Sequence, residues 1–286
     1  MSVRVFAPAK INLTLQVGRP RADGLHPLQS VVMFADVGDI VEASADEGLA
    51  LRITGEFGDE LSASYDNLVI RAAHALAAEA GIAANAALVL EKDLPIASGI
   101  GGGSADAAAT LRALNELWQI GFDAERLQKV ARTLGADVPV CLGGRTAYMT
   151  GAGETWSELR APSFAAVLVN PLTPVATPDV YRQFDAMNLG VAFKEHEAPD
   201  WADAEAALAQ IAAAGNDLEP VARELLPEIG DILTELRADS RTRYAALSGS
   251  GATVFALTTE QHAAALAEQL QRAHPSWWVA ETVLGA

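Results

Sequence analysis

The sequence has a single cysteine, Cys141, so no disulfide can form within the chain and a four-cysteine zinc site is excluded. Cys141 lies in the apolar run 138–142, where a buried, inert thiol is expected rather than a nucleophile. Basic residues are scarce as well: 20 Lys and Arg stand against 37 Asp and Glu, a formal charge of −17 over 286 residues. Nucleic acids and anionic membranes recruit clustered cations, so neither is an expected partner. An anionic ligand would need local donors against that field, and backbone N–H groups are the obvious supply. No window approaches the ~20 apolar residues of a membrane helix. The opening MSVRVFAPAKINLTL alternates polar and apolar residues and lacks a signal-peptide core. A cytoplasmic protein, monomeric or weakly dimeric, is expected.

What is present is an α+β pattern. Residues 10–17 alternate strictly, which puts Lys10, Asn12, Thr14 and Gln16 on one face of a strand. Val31–Phe34 and Ile40–Ala43 read as strands joined through the turn residues Asp36, Gly38 and Asp39. Helices are predicted over 67–80 with Gly81 as stop, over 105–118, and over 124–134 with Asp123 as N-cap. Residues 87–92 read as a strand. Near 160 the pattern restarts: a strand at 164–169, helical stretches over 179–187, 202–214 and 217–238, strands at 244–247 and 253–257, a helix over 260–273, and a last strand at 278–283. Two domains follow, 1–160 and 161–286.

The densest signal is Pro95-Ile96-Ala97-Ser98-Gly99-Ile100-Gly101-Gly102-Gly103-Ser104-Ala105-Asp106, between a predicted strand and a predicted helix. Glycines let the backbone curl and approach a ligand closely. The helix behind adds unpaired N–H donors and the positive end of its dipole, which together suit a phosphate chain. The spacing is not G-x-G-x-x-G, and no lysine follows as in a Walker A loop. A flexible connector is the plain alternative, and Asp106 in a first turn complements the helix dipole whether or not phosphate binds. A second cluster, Leu247-Ser248-Gly249-Ser250-Gly251-Ala252-Thr253, is either an ordinary hairpin loop or a second wall of the same site.

Pro8-Ala9-Lys10-Ile11-Asn12, the loop 99–104, Leu134-Gly135-Ala136-Asp137-Val138-Pro139 and the cluster 247–253 together resemble the GHMP kinase superfamily, over residues 5 to about 257. Arg21-Ala22-Asp23-Gly24-Leu25-His26, Asp66-Asn67-Leu68 and the triple glycine 101–103 resemble most the branch that phosphorylates a diphosphocytidyl-bearing alcohol in isoprenoid precursor synthesis. The resemblance implies the GHMP kinase fold: a ribosomal protein S5 domain 2-like N-terminal domain and a ferredoxin-like C-terminal domain. It implies ATP as co-substrate with Mg²⁺, and Pro95 to Ala105 around the ATP phosphates, with Ser104 near phosphate or metal. It implies Asp66 and Asn67 beside the adenosine, and Asn12, Leu25, His26, Tyr181, Gly249 and Ser250 on the cytidine substrate. Lys10 and Asp137 match the catalytic pair.

Two positions depart from the pattern: Ala105 replaces a frequent second serine, so a hydroxyl contact is lost or supplied by Asp106 or water. Leu25 replaces a frequent aromatic and cannot stack. Taken singly, His26 beside Pro27 reads as a surface turn, Tyr181 as core cover, and Lys10 as a solvated lysine. Other members acting on homoserine, mevalonate or a sugar, a decarboxylase, and a module that has lost catalysis are the rival readings.

Overall fold

The computed structural model describes residues 2–192, 196–201 and 203–285. In chain order the elements are β1 (Ser2–Asn12), β2 (Gln16–Val17), β3 (Leu28–Ser44), β4 (Leu49–Thr54), α1 (Leu68–Ala80), β5 (Ala86–Glu91), α2 (Gly102–Leu117), α3 (Ala124–Arg132), α4 (Val138–Gly143), β6 (Ala147–Thr150) and β7 (Thr155–Glu158). They continue as β8 (Phe164–Asn170), α5 (Thr177–Ala186), α6 (Ala204–Ala214), α7 (Glu219–Leu225), α8 (Pro227–Ala238), β9 (Tyr244–Leu247), β10 (Val254–Leu257), α9 (Glu260–Ala273) and β11 (Trp278–Leu284). Among the described residues no helix is long and apolar enough to cross a membrane.

The chain forms two compact units that interleave along the sequence. The first gathers Met1–Ala9, Val37–Ile96 and Gly101–Gly144; the second gathers Lys10–Asp36, Ala97–Ile100 and Arg145–Ala286.

In the first unit β5 lies between β4, parallel to it from Leu49↔Ala86 to Thr54↔Glu91, and the last part of β3, antiparallel from Ile40↔Glu91 to Ser44↔Ala87. The helices follow from local signals. Asn67 caps α1 by accepting a hydrogen bond from the Val69 N–H at 2.9 Å, and Gly81 closes it in a left-handed conformation. Asp123 caps α3 through the Arg126 N–H at 2.9 Å. Leu76, Leu88, Leu90, Leu111 and Leu114 are fully buried in this unit. Cys141 is buried in α4, as its apolar surroundings predict.

In the second unit β8 is flanked by β11 and β10, both antiparallel, and β9 pairs with β10 as a hairpin. All seven residues of β8 are buried, which explains an apolar run with no alternation. Phe184, Ile229, Ile232, Leu233, Leu266 and Leu270 bring α5, α8 and α9 into one core with Val167 and Val169. The predicted helix over 217–238 is two helices, because Pro227 begins a new one after the extended Leu226.

Two strand predictions change. The expected turn at 36–39 does not exist: β3 runs unbroken for 17 residues. Its turn-type residues have tertiary tasks instead. Asp36 accepts hydrogen bonds from the Thr282 hydroxyl and, at 2.9 Å, the Val283 N–H. Gly38 lies so close to Ala7 that a Cβ would strike its carbonyl oxygen. The alternating stretch 10–17 is likewise not one strand, since β1 ends at Asn12 and β2 starts at Gln16. Its polar face is not solvated either: Lys10, Asn12 and Thr14 are all buried.

Candidate active site

The glycine-rich loop leaves β5 through Lys92, Asp93 and Leu94 and ends in the first turn of α2. Gly101 occupies the N-cap position in a left-handed conformation with no side chain to cap the helix. The first N–H to find a helical partner is that of Ala105, bonded to the Gly101 carbonyl at 2.9 Å. The N–H groups of Gly102, Gly103 and Ser104 precede it and have no acceptor within the helix, which makes this an anion-seeking end. Ser104 is half-buried in that turn, and Ala105 is buried.

Residues 97–100 belong to the second unit, where two other predicted segments hold them. The Lys10 N–H donates to the Ile100 carbonyl at 2.8 Å, and the Thr253 N–H to Ser98 at 3.0 Å. The Ser248 hydroxyl donates to the Gly99 carbonyl at 3.1 Å and accepts from the Asn12 N–H at 3.2 Å. Gly99 has φ of +75°, and a Cβ there would lie 2.5 Å from the Gly251 carbonyl oxygen. A Cβ on Gly249 would reach within 2.8 Å of the Gly99 oxygen. The two glycine clusters are therefore one packed assembly with the end of β1, not an isolated hairpin and a loose connector. Pro95 is buried and Ile96 half-buried where the loop leaves the first unit.

Three of the cytidine-side candidates, His26, Tyr181 and Ser250, gather around α5. His26 is buried, not on a surface turn: its Nε2 is hydrogen-bonded to Asp185 at 2.8 Å, and its ring lies 4.9 Å from that of Tyr181 and 6.1 Å from that of Phe184. Tyr181 is partly buried against the core of the second unit. Thr177, at the start of the same helix, shares a 2.8 Å hydrogen bond with the Ser250 hydroxyl. The Asn12 amide donates to the Ser30 hydroxyl at 2.7 Å. Leu25 stands apart, 53% exposed in the turn that Asp23 closes by accepting from the Leu25 N–H at 3.0 Å. Asp185 was missed by sequence reasoning, because nothing local links it to a histidine 159 residues away.

In the first unit Asp137 precedes α4 as its N-cap residue, half-buried, and its carbonyl accepts from the Cys141 N–H at 3.1 Å. Asp66 is exposed, and the Asn67 side chain is occupied by its capping bond and by donation to the Ser62 carbonyl at 3.0 Å. Among the described residues no group of three or more His, Cys, Asp or Glu side chains is arranged to hold a metal ion.

The Asp106 side chain is 3% exposed and pairs with Lys92, which also pairs with Asp39, so that two carboxyl groups and an ammonium are buried together. Burial pushes the Asp106 pKa up to about 8, against the pull of Lys92 and with repulsion from Asp39 adding to it. Burial presses Lys92 downward, but Asp106 and Asp39 outweigh it and hold the ammonium above the usual lysine range. At Gly102 the space that a side chain would need is filled by Lys92, whose Nζ would lie 2.9 Å from a Cβ. At Gly103, by contrast, a Cβ meets only Leu68, at 3.5 Å.

Residues 67–145 match the family described as GHMP kinases N terminal domain, and residues 192–276 that described as GHMP kinases C terminal. The chain is 47% identical over 281 residues to the 4-diphosphocytidyl-2-C-methyl-D-erythritol kinase of Parvibaculum lavamentivorans, covering 98% of this chain and 97% of that one. It is 48% identical over 279 residues to the kinase of the same name from Cereibacter sphaeroides, covering 96% of each. A crystal structure of 4-(cytidine 5'-diphospho)-2C-methyl-D-erythritol kinase aligns with a TM-score of 0.80 at 35% identity, over 99% of this chain and 100% of that one. The chain belongs to the GHMP kinase family, and its α+β architecture is the GHMP kinase fold. Its activity class is accordingly that of an ATP-dependent small-molecule kinase.

Proposed function

We propose that this enzyme moves the γ-phosphate of ATP to the 2-hydroxyl of 4-diphosphocytidyl-2-C-methyl-D-erythritol, giving the 2-phosphate and ADP in isoprenoid precursor synthesis. What supports this reading most is near-full-length identity of 47–48% to kinases of that name. Phosphoryl transfer asks for positioning and charge stabilisation more than for covalent chemistry. The uncapped N–H groups at the start of α2 hold the triphosphate. Asp137 accepts the proton of the attacking hydroxyl, and Lys10 stabilises the charge that develops. His26, held by Asp185 of α5, and Tyr181 on the same helix form the cytidine side with Asn12, Leu25, Gly249 and Ser250. Asp66 and the start of α1 border the adenosine.

Mg²⁺ held through nucleotide phosphates needs only one or two protein groups, which suits a chain whose described residues hold no group of three or more potential metal ligands; Ser104 is the candidate contact, and the ion would supply charge neutralisation on the phosphates. Asp106 is not available to it, being committed to Lys92. A cytoplasmic enzyme, monomeric or weakly dimeric and without nucleic-acid partners, completes the reading. Substrate-dependent ADP release with a panel of alcohols tests it. Release with the cytidine-bearing alcohol alone is expected; release with homoserine, mevalonate or a sugar instead would replace the substrate assignment.

A further inference from the structure

The cluster of Lys92, Asp39 and Asp106 takes no part in the roles above, yet it is attached to both ends of the phosphate loop. Asp39 accepts hydrogen bonds from the N–H groups of Asp93 and Leu94, at 2.7 and 2.8 Å, the two residues that lead into Pro95. Its other oxygen takes the Lys92 ammonium. The same ammonium reaches Asp106 at 3.0 Å, in the second turn of the helix that leaves the loop. The Lys92 backbone is itself pinned: its N–H donates to Thr54 at 2.7 Å, and its carbonyl accepts from the Phe57 N–H at 2.9 Å. Lys92 Nζ therefore sits directly beneath the Gly102 backbone, with Leu94 and Asp39 beside it.

Stability alone does not account for such a cluster. Burying each ion carries a desolvation cost, and apolar side chains of equal volume often stabilise a fold as well or better. Nor does the ammonium add much field at the phosphate side, because the Asp39 carboxylate touching it neutralises it. What the three side chains do supply is a fixed distance between the strand end before the loop and the helix turn after it. Positioning of that kind governs how well backbone donors meet a triphosphate.

We propose that Lys92 is a positioning residue for the phosphate loop, clamping its two ends through Asp39 and Asp106, and that residue 102 is glycine to leave room for this ammonium rather than for the nucleotide. The inference rests on the assignment of residues 95–105 to ATP phosphates. Lys92→Met keeps the stem and removes the atom nearest Gly102; Gly102→Ala adds the methyl that would displace it.

The test is a cycle of Lys92→Met, Gly102→Ala and the double variant in the full chain. ATP affinity is read by calorimetry, KM for ATP and for the alcohol by kinetics, and folding by a melting curve. Each single change is expected to weaken ATP about tenfold, a size in keeping with coupled networks, with the alcohol KM unmoved. The double variant is expected to bind ATP no worse than the weaker single, because without the ammonium the methyl has nothing to displace. Additive losses would mean that Gly102 faces the nucleotide, and would overturn the proposal. Unchanged ATP affinity in melted-down but still folded single variants would reduce the cluster to a structural one and overturn it equally. If Lys92→Met does not fold, wild-type ATP affinity in Gly102→Ala overturns the proposal by itself. A wild-type chain that binds no ATP refutes the kinase reading instead, a result distinct from all of these.

Discussion

Asp106→Asn asks whether a carboxyl group beneath the phosphate loop carries a proton in the folded enzyme. One of its oxygens, Oδ1, is buried with no hydrogen-bond partner among the described residues, and Asp39 crowds the other through their shared lysine. Burial raises the pKa to about 8 from the ordinary 3.8. Below about pH 4 the folded and unfolded chains both hold this proton, and its contribution to stability is complete. From there to about pH 8 only the folded chain holds it, so stability falls by about 1.4 kcal/mol per pH unit. Above that range the contribution is gone and the curve is flat. Asparagine is the neutral isostere of the protonated acid, and it removes this slope. Urea unfolding of both proteins at pH 5, 6 and 7, followed by circular dichroism, measures the difference. Relative to the wild type, the variant is expected to gain about 3 kcal/mol between pH 5 and 7, two pH units at that slope. Parallel stability curves would show that Asp106 is ionised in the fold. The cluster would then hold a net negative charge.

Asp137→Asn is expected to lower kcat by roughly 10²–10⁴-fold, the usual contribution of general acid–base catalysis, with both KM values little changed. A stable variant keeping more than about a tenth of wild-type kcat would remove Asp137 from that role. Tyr181→Ala should weaken the cytidine substrate by the ~1–3 kcal/mol of base–aromatic stacking and leave KM for ATP unmoved; equal effects on both would point to the packing of α5. Gly99→Ala should destabilise by more than ~1 kcal/mol, since it combines a left-handed φ of +75° with a Cβ 2.5 Å from the Gly251 oxygen. A wild-type melting temperature would show that the packed loops relax freely. Gly103→Ala should melt as the wild type does, because the nearest atom to its Cβ is 3.5 Å away, yet lose ATP affinity; full affinity would take residue 103 off the phosphate face.

Much of the secondary structure was decided by local chemistry, and the sequence alone carried it. The helix over 260–273 needs no more than its periodicity, and α1 and α3 start where Asn67 and Asp123 offer capping oxygens. The glycine loop before α2 was equally plain, because so many glycines against an amphipathic helix are a local statement. Tertiary structure decided the rest. Alternation puts Lys10, Asn12 and Thr14 on one face, but only the packed chain says that this face is covered. Asp36, Gly38 and Asp39 have turn composition, yet their partners at 282, 7 and 92 hold them in the middle of a strand. His26 pairs with a residue 159 positions away, and a side chain at position 102 would meet the Lys92 ammonium. In each case the free energy lies in desolvating a polar group or closing a gap between distant segments. Composition and periodicity describe one segment at a time, and such terms exist only once the second segment has arrived.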